Sequence, residues 1–353
     1  MFSIHHFRLY LKQHPHYFAV LLSEICQVWW WRIKRQPIVV LTTESGGLGD
    51  YIWFRSYYSV IRDHFSPKQC RIVIVGMRQW EPLALGMDKN ADSNHFDIYR
   101  PFESPDNPLK IESLFFKLFK ADVYVNFRAR HLKQLVRAKE HYFGKGFRET
   151  KQYYEIANNS VMNQWFKLPD NFKHGPTLLP IDDSRKKNLA KPYVVFVERG
   201  NTQGQLSEEQ TITIVKKILS QGFSIFFNGN YKRLVSVINP HQIPNDCQII
   251  DGYTFPLTEY PTVVTNSRYV VTVNTFVYHL ATQLEKPVIV LSANEYESVK
   301  LDAQNQTVLF NDELQSAYEN NTLESYRPIP SLGLESIKCE KIAQALNLIK
   351  NRC

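Results

Sequence analysis

Short runs of β-branched and aromatic residues alternate along this chain with longer stretches whose apolar positions recur every three or four residues. "IVVLTT" (38–43), "CRIVIVG" (70–76) and "ADVYVNF" (121–127) are continuous apolar runs and predict buried strands. Residues 50–65, "LKQLVRAKEHYF" (132–143) and "QYYEIANNSVMNQWF" (152–166) carry the helical period. "KLPDNFKHGPTLLPIDDSRKKNLAKPY" (167–193) has no sustained period and reads as a domain connection. The alternation then restarts. "YVVFVER", "SIFFNGN", "CQIIDG", "YVVTVN" and "PVIVLSAN" are predicted strands. "SEEQTITIVKKILSQG", "LTEYPTVVTNS", "TFVYHLATQLE" and the terminal "SIKCEKIAQALNLIKNRC" are predicted helices. Ser207 and Gln210 form a candidate capping box, and Gly222 a stop. Continuous β-branched strands separated by helices imply parallel sheets covered on both faces. The pattern therefore predicts an α/β protein of two doubly wound, Rossmann-like halves.

The first 36 residues precede this alternation. "FAVLLSEICQVWWWRIKR" is apolar but interrupted by Glu24 and Gln27, so it falls short of the roughly 20 apolar residues of a spanning helix. No signal-peptide pattern is expected here. Trp29, Trp30 and Trp31 stand beside Arg32, Lys34 and Arg35, a combination suited to a membrane interface or to a helix packed on the protein's own surface. The formal charge of +8 favours an anionic partner: a phosphorylated small molecule, an anionic membrane surface or nucleic acid. The chain carries no nucleic-acid-binding motif, so that last class is set aside. Cys26, Cys70, Cys247, Cys339 and Cys353 are scattered and odd in number, which predicts free thiols in a reducing compartment and neither a disulfide framework nor a zinc site.

Two stretches could carry chemistry. In "SGGLGD" (45–50), Gly46, Gly47 and Gly49 lie between a strand and a helix that is expected to open at Asp50. They match neither G-x-G-x-x-G nor a Walker loop. The bend sits at the carboxyl end of the first strand, where open α/β sheets bind ligands. Asp50 is either a cap or first-turn carboxylate complementing the helix dipole, or a general base facing the cleft. In "YVVTVNTFVYHLATQLEKPVIVLSA" (269–293) a strand ends at Asn274 and a helix starts near Thr275. Asn274 or Thr275 could cap it, leaving backbone donors for a phosphate, and His279 in the first turn could add another.

Together, in this order, the two stretches resemble glycosyltransferase family nine, the ADP-heptose heptosyltransferases of Gram-negative lipopolysaccharide synthesis. Gly49 and Asp50 match the family's Gly-Asp pair after the first strand. Asn274, Thr275, Phe276, Val277, Tyr278, His279, Leu280 and Ala281, followed by Pro287 and Val288, match its Asp-Ser/Thr-Gly-x-x-His-Leu-Ala motif and Pro-Val strand. The resemblance spans roughly residues 37–350. It implies a GT-B fold of two Rossmann-like domains facing a cleft: an acceptor side over 37–180, a nucleotide-sugar side over 190–330, and a helix over 331–353 crossing back to the first domain. It implies an inverting, metal-independent transfer with no cofactor. The donor would be a nucleotide-sugar, ADP-heptose favoured, and the acceptor a lipid-linked glycan at the cytoplasmic face of the inner membrane. Asp50 would be the base. Arg199, Thr202, Asn228, Asn274, Thr275, Phe276 and His279 would hold the donor, with no metal site; no Asp-x-Asp motif is present. The chain departs from the family at Asn274, which replaces Asp, at Phe276, which replaces Gly, and in lacking the usual lysine near 201–206. These departures keep two alternatives open: a different nucleotide-sugar, or a non-catalytic binding or scaffold protein of envelope biogenesis.

Overall fold

The computed structural model describes residues 15–42, 48–55, 57–65, 70–85, 96–102, 120–126, 137–143, 192–200, 204–292, 305–310, 312, 316 and 333–350. In the first half, α1 (Pro15–Ile33) leads into β1 (Ile38–Thr42), then α2 (Leu48–Phe54), α3 (Tyr57–His64), β2 (Arg71–Met77), β3 (Ile98–Phe102), β4 (Ala121–Asn126) and β5 (Ala138–Phe143). The strands are parallel, in the order β3–β2–β1–β4–β5. In the second half come β6 (Tyr193–Val197), the short antiparallel pair β7 (Arg199–Gly200) and β8 (Gly204–Gln205), α4 (Glu208–Ser220), β9 (Ser224–Asn228), α5 (Tyr231–Val237), β10 (Ile249–Asp251), α6 (Tyr260–Asn266), β11 (Val270–Val273), α7 (Phe276–Gln283), β12 (Val288–Leu291), β13 (Gln306–Leu309) and α8 (Cys339–Lys350). This sheet is also parallel, in the order β10–β9–β6–β11–β12–β13. Both orders are those of a doubly wound nucleotide-binding sheet, which reverses direction beside the first strand of each half. The two-half α/β reading of the sequence holds.

Local chemistry explains the elements. β1, β6, β9, β11 and β12 are buried at every position, as continuous apolar strands between two helical layers must be. Ser207 and Gln210 close the capping box of α4, and Gly222, at φ 81°, ends it.

Three expectations need correction. "LKQLVRAKEHYF" is not one helix, because Ala138–Phe143 is the edge strand β5, paired to β4. Its Lys139 and Glu140 are exposed, so good helix formers sit where only one side is buried, and sheet pairing overrides propensity. The helix expected over 50–65 is two: α2 begins at Leu48 and ends at Phe54, and α3 restarts at Tyr57. The last helix does not cross back to the first half over Cys339–Lys350. Its apolar stripe, Ile342, Ala345, Leu346 and Ile349, joins Ile214, Val215, Ile218 and Leu219 of α4 in the core of the second half, and Gln221 Nε2 donates to Leu346 O at 3.0 Å. The helix expected over 152–166, and the connection but for its last two residues, lie outside the described residues.

The first sheet is covered unequally. Val39, Leu41, Ile72, Ile74, Val123 and Val125 share one cluster with Tyr51 and Ile52 of α2 and Tyr58 and Ile61 of α3. The alternate positions face α1. Glu24 of α1 pairs with Arg100 of β3, Arg32 Nη1 with Asp122 Oδ2 at 3.0 Å, and the Arg71 guanidinium lies 5.5 Å from the Trp31 ring. Val28 and Trp31 are buried beneath the helix. No helix among the described residues is long and apolar enough to cross a membrane.

Asp122 ties three elements together: Arg32 of α1, the Ile38 amide of β1 at 2.9 Å, and Lys139 of β5 at 2.7 Å. Burial pushes its carboxyl up, but Lys139, the Ile38 amide and Arg32 outweigh burial and hold it below its ordinary value. A lowered folded-state pKa contributes stability that is complete above the unfolded value and is lost as pH falls through the folded one. The α1 attachment is therefore expected to weaken as pH drops below about 4. Urea midpoints measured against pH should fall less steeply in that range for Asp122→Asn than for the native chain; identical slopes would remove Asp122 from the acid response.

Candidate active site

The carboxyl edge of each sheet carries one of the two stretches singled out above. In the first half, α2 follows β1, and in the second, α7 follows β11; β1 and β11 both flank the point where strand order reverses. The fold brings these two helices together. A Cβ built on Gly49 would lie 2.4 Å from Cδ2 and 3.0 Å from Nε2 of His279, well inside van der Waals contact. Gly49 is required here by close approach, because any side chain would occupy the space of the imidazole. One turn further along α7, Gln283 Nε2 donates to Ile52 O of α2, and Gln283 Oε1 accepts from Arg55 Nη1 at 3.3 Å. Arg55 is fully buried, where a guanidinium is costly unless it is hydrogen-bonded, and Gln283 supplies one such bond. Tyr51 and Ile52 of α2 belong to one continuous apolar cluster with Tyr278, Leu280 and Ala281 of α7.

Asp50 is the third residue of α2, in its first turn, so it is not the N-cap that an Asp50 start would make it. Its neighbour Gly49 touches His279, and consecutive Cα atoms are about 3.8 Å apart, so its backbone stands at the same junction. A carboxylate in a first turn is stabilised as the anion by the helix dipole.

On the other side of the junction, Thr275 is the N-cap residue of α7, with φ −143° and ψ 176°, but its side chain makes no capping hydrogen bond. Its hydroxyl lies 3.1 Å from that of Thr272, whose own proton goes to Val273 O at 2.7 Å. The Tyr278 amide donates to Thr275 O at 3.1 Å, while the Phe276 and Val277 amides receive no side-chain acceptor from the cap, the kind of helix start at which an anionic ligand can bind. Phe276 opens α7 in helical conformation, where its φ needs no glycine. Its ring turns to Tyr260, 5.4 Å away, and Tyr260 packs on Phe226 at 5.8 Å.

Asn228 ends β9. Burial pushes the Tyr260 hydroxyl up to about 12, so it stays protonated and donates to Asn228 Oδ1 at 2.6 Å. This fixes the amide and leaves Nδ2 as a donor with no partner among the described residues. Arg199, exposed on β7, donates through Nε to the Tyr253 hydroxyl at 3.2 Å and stacks 5.7 Å from that ring. Gly200 follows it, and a Cβ there would come within 3.0 Å of Asn274 O and 3.2 Å of Thr275 Cγ2. Arg199, Asn274 and Thr275 are thus gathered on one edge. Gly46, Gly47, Thr202 and the Asp50 side chain lie outside the described residues. Among the described residues no three His, Cys, Asp or Glu side chains gather to hold a metal ion.

Sequence reasoning missed Glu198. This carboxylate is 1% exposed at the end of β6, and it is saturated. Oε1 accepts from Gln205 Nε2 at 3.1 Å, from Thr211 Oγ1 at 3.2 Å and from Arg233; Oε2 accepts from the Asn230 amide at 2.8 Å. It thereby fixes β8, α4 and α5 around the strand that delivers Arg199. The available signal was an acid directly after a five-residue apolar strand. Gln283 was equally legible, one helical turn after His279 on the same face.

No protein-family model matches the chain, and no curated protein does. Solved structures match it over 90% of its length. A glycosyl transferase family 9 structure from Veillonella parvula superposes with a TM-score of 0.65 at 13% identity, over 98% of that chain. The E. coli ADP-heptose lipopolysaccharide heptosyltransferase II gives 0.62 at 13%, over 99% of that chain. An E. coli heptosyltransferase with ADP gives 0.61 at 12%, over 100% of that chain. The chain has the fold of these proteins: the GT-B arrangement of two Rossmann-like halves.

Substitutions test the junction and the Glu198 network separately. Gly49→Ala gains roughly 1 kcal/mol of helix propensity but meets the His279 ring, and overpacking costs about 1–3 kcal/mol; a net loss is expected. In the double variant with His279→Ala the ring is gone, so the alanine at 49 should then stabilise. A thermal-melt double-mutant cycle reads this directly, and additive effects would show that Gly49 and His279 are not in contact. Glu198→Gln keeps the shape but leaves Arg233 without its anion. Arg233 is partly exposed, so solvent offsets part of the loss, and the buried hydrogen bonds that weaken cost about 1–3 kcal/mol; the melting temperature should fall by a few degrees, and an unchanged one would discount the network.

Proposed function

We propose that the chain is an inverting sugar transferase that moves a sugar from a nucleoside-diphosphate donor to a hydroxyl of a surface-glycan acceptor, with no metal in the chemistry. The observation that carries the reading is the Gly49–His279 contact. It joins the Gly-Asp helix start of one half to the Asn-Thr-x-x-x-His helix start of the other, in a fold shared with heptosyltransferases.

In this reading the donor lies on the second half. The diphosphate takes its hydrogen bonds from the Phe276 and Val277 amides at the start of α7 and from His279. Fixed donors aimed at the leaving group stabilise the charge that develops as the glycosidic bond breaks. Arg199 adds a cation from β7, with Thr202 beside it in sequence. Asn228 offers its amide to the ribose or base. The acceptor hydroxyl comes from the first half, where Asp50 takes its proton as the oxygen attacks the anomeric carbon from the face opposite the leaving group. The attacking oxygen gains the carbon bond, the nucleoside diphosphate leaves with the old bonding pair, and the configuration inverts. ADP-heptose is the favoured donor and a lipopolysaccharide core the favoured acceptor. The family's Gly is replaced by Phe276, whose ring packs on Tyr260, a specific reason to screen donors beyond ADP-heptose.

Thermal shift with ADP and ADP-sugars tests the donor half. A ligand selective for the folded chain raises the melting temperature with the logarithm of its excess. ADP should do so in the presence of chelator as well as without it; a strict need for magnesium or manganese would overturn the metal-free site. Asp50→Asn tests the base. Loss of a general base lowers turnover about 10²–10⁴-fold, while donor affinity should be unchanged because the donor lies on the other half. Turnover within about threefold of the native rate would leave Asp50 as a first-turn carboxylate only. Donor binding with no turnover by the native chain would favour the scaffold reading.

A further inference from the structure

The side chains of α1 are arranged the opposite way from an ordinary surface helix. Successive residues turn by about 100°. Trp29, Leu22, Ile33, Cys26, Ala19 and Trp30 therefore share one arc of about 100° on the side away from the buried Val28. All six are exposed, Leu22 at 50%, Trp29 at 59%, Trp30 at 55% and Ile33 at 70%. The helix's charged residues point the other way. Glu24 is turned inward to Arg100 and Arg32 to Asp122. The face toward the protein thus holds the ion pairs, and the face toward solvent is an uncharged apolar stripe. A helix apolar on both sides is normally covered on both sides.

The residues bounding the stripe indicate what covers it. Lys34 and Arg35 follow the helix and are exposed, and the Lys34 ammonium lies 4.9 Å from the Trp30 ring centre. Arg35 also occupies a left-handed position, φ 55°. There it completes a Schellman turn, its amide donating to Arg32 O and that of Gln36 to Trp31 O. Glycine suits such a position better than arginine does, so the cation is held at a conformational cost. Tryptophans beside exposed lysine and arginine match the headgroup region of an anionic bilayer, where the rings sit at the interface and the cations meet lipid phosphates. A second copy of this chain fits less well, because both copies carry +8 and bring cations of the same sign to the contact.

We propose that the outer face of α1 docks the protein peripherally on an anionic lipid surface, through Trp29, Trp30 and Ile33 with Lys34 and Arg35. The stripe lies on the layer of the first sheet opposite α2 and α3. Docking therefore leaves the α2–α7 junction uncovered, and it does not depend on which sugar or nucleotide the site accepts.

The test uses the full chain and vesicles of phosphatidylcholine with or without phosphatidylglycerol. Co-sedimentation should require the anionic lipid and weaken at high salt. Brominated acyl chains should quench tryptophan emission. Trp29→Gln/Trp30→Gln should lower binding about tenfold or more with an unchanged melting temperature, since both side chains point outward. Arg35→Gly should lower binding about fivefold while raising the melting temperature, a pairing of effects that general destabilisation does not produce. Asp50→Asn should sediment like the native chain, which keeps this result separate from the catalytic reading. Equal sedimentation of the double tryptophan variant would overturn the proposal. So would binding indifferent to phosphatidylglycerol, or a native dimer that binds no vesicles and becomes monomeric in the tryptophan variant.

Discussion

The close approach of Gly49 to His279 is the constraint from which the arrangement of the two halves follows. Helix axes normally stand 8–10 Å apart, at a distance set by the side chains between them. With no side chain at Gly49, the imidazole of α7 rests directly against the backbone of α2. That contact places Gln283 one turn on, where it reaches both Ile52 O and the buried Arg55. Tyr51, Ile52, Tyr278 and Ala281 then close around it as part of a core shared by both sheets. Sliding one half along the other would break the Gln283 bonds to Ile52 O and to the buried Arg55. These contacts hold the first turn of α2 beside the first turn of α7.

The second half is stiffened by different means. Glu198 is a buried carboxylate whose acceptor capacity is filled by a backbone amide, a side-chain amide, a hydroxyl and Arg233. A fully satisfied polar network of this kind specifies geometry more than it adds net stability. Gly229 belongs to the same device, since a Cβ there would collide with Glu198 Oε2 and the Phe227 ring. The loops that follow β6 and β9 are thus held at fixed positions on the carboxyl edge. Arg199 and Asn228 stand beside them, so the polar groups assigned to the donor in the proposed reading sit on backbone that does not have to be ordered on binding.

The sequence was most legible where burial is two-sided. β1, β6, β9, β11 and β12 announce themselves as apolar runs because helices cover both faces. Edge positions were read poorly for the same reason. β3 contains Pro101, which a sheet edge tolerates, and Arg100, which is buried against Glu24; β5 contains Lys139 and Glu140, which mimic a helix. Short motifs located Gly49, Asn274 and His279, but nothing in them states that Gly49 and His279 touch; that is a consequence of two chain reversals far apart in sequence. Glu198 carried only a weak signal, because a lone acid after a strand is usually solvated. Only its four donors, drawn from residues 205, 211, 230 and 233, make it an anchor. For α1, the tryptophans were legible and the direction they face was not, since that depends on the inward partners Arg100 and Asp122.

Phe276 shows how a departure from a motif can be absorbed without loss of the backbone that the motif protects. A glycine at the opening of a helix allows close approach and unusual φ, but α7 starts in ordinary helical conformation and needs neither. The added bulk goes sideways into Tyr260, which also touches Phe226. Tyr260 is the residue whose hydroxyl, kept protonated by burial, orients the Asn228 amide. The phenyl ring that replaces glycine therefore buttresses a polar group on a different strand. Residue 276 thus has two structural reaches: the α7 amide it contributes itself, and the packing that holds Tyr260 against Asn228. In the proposed reading, a departure with that double reach bears more on which donor fits than on whether the helix start can receive a diphosphate.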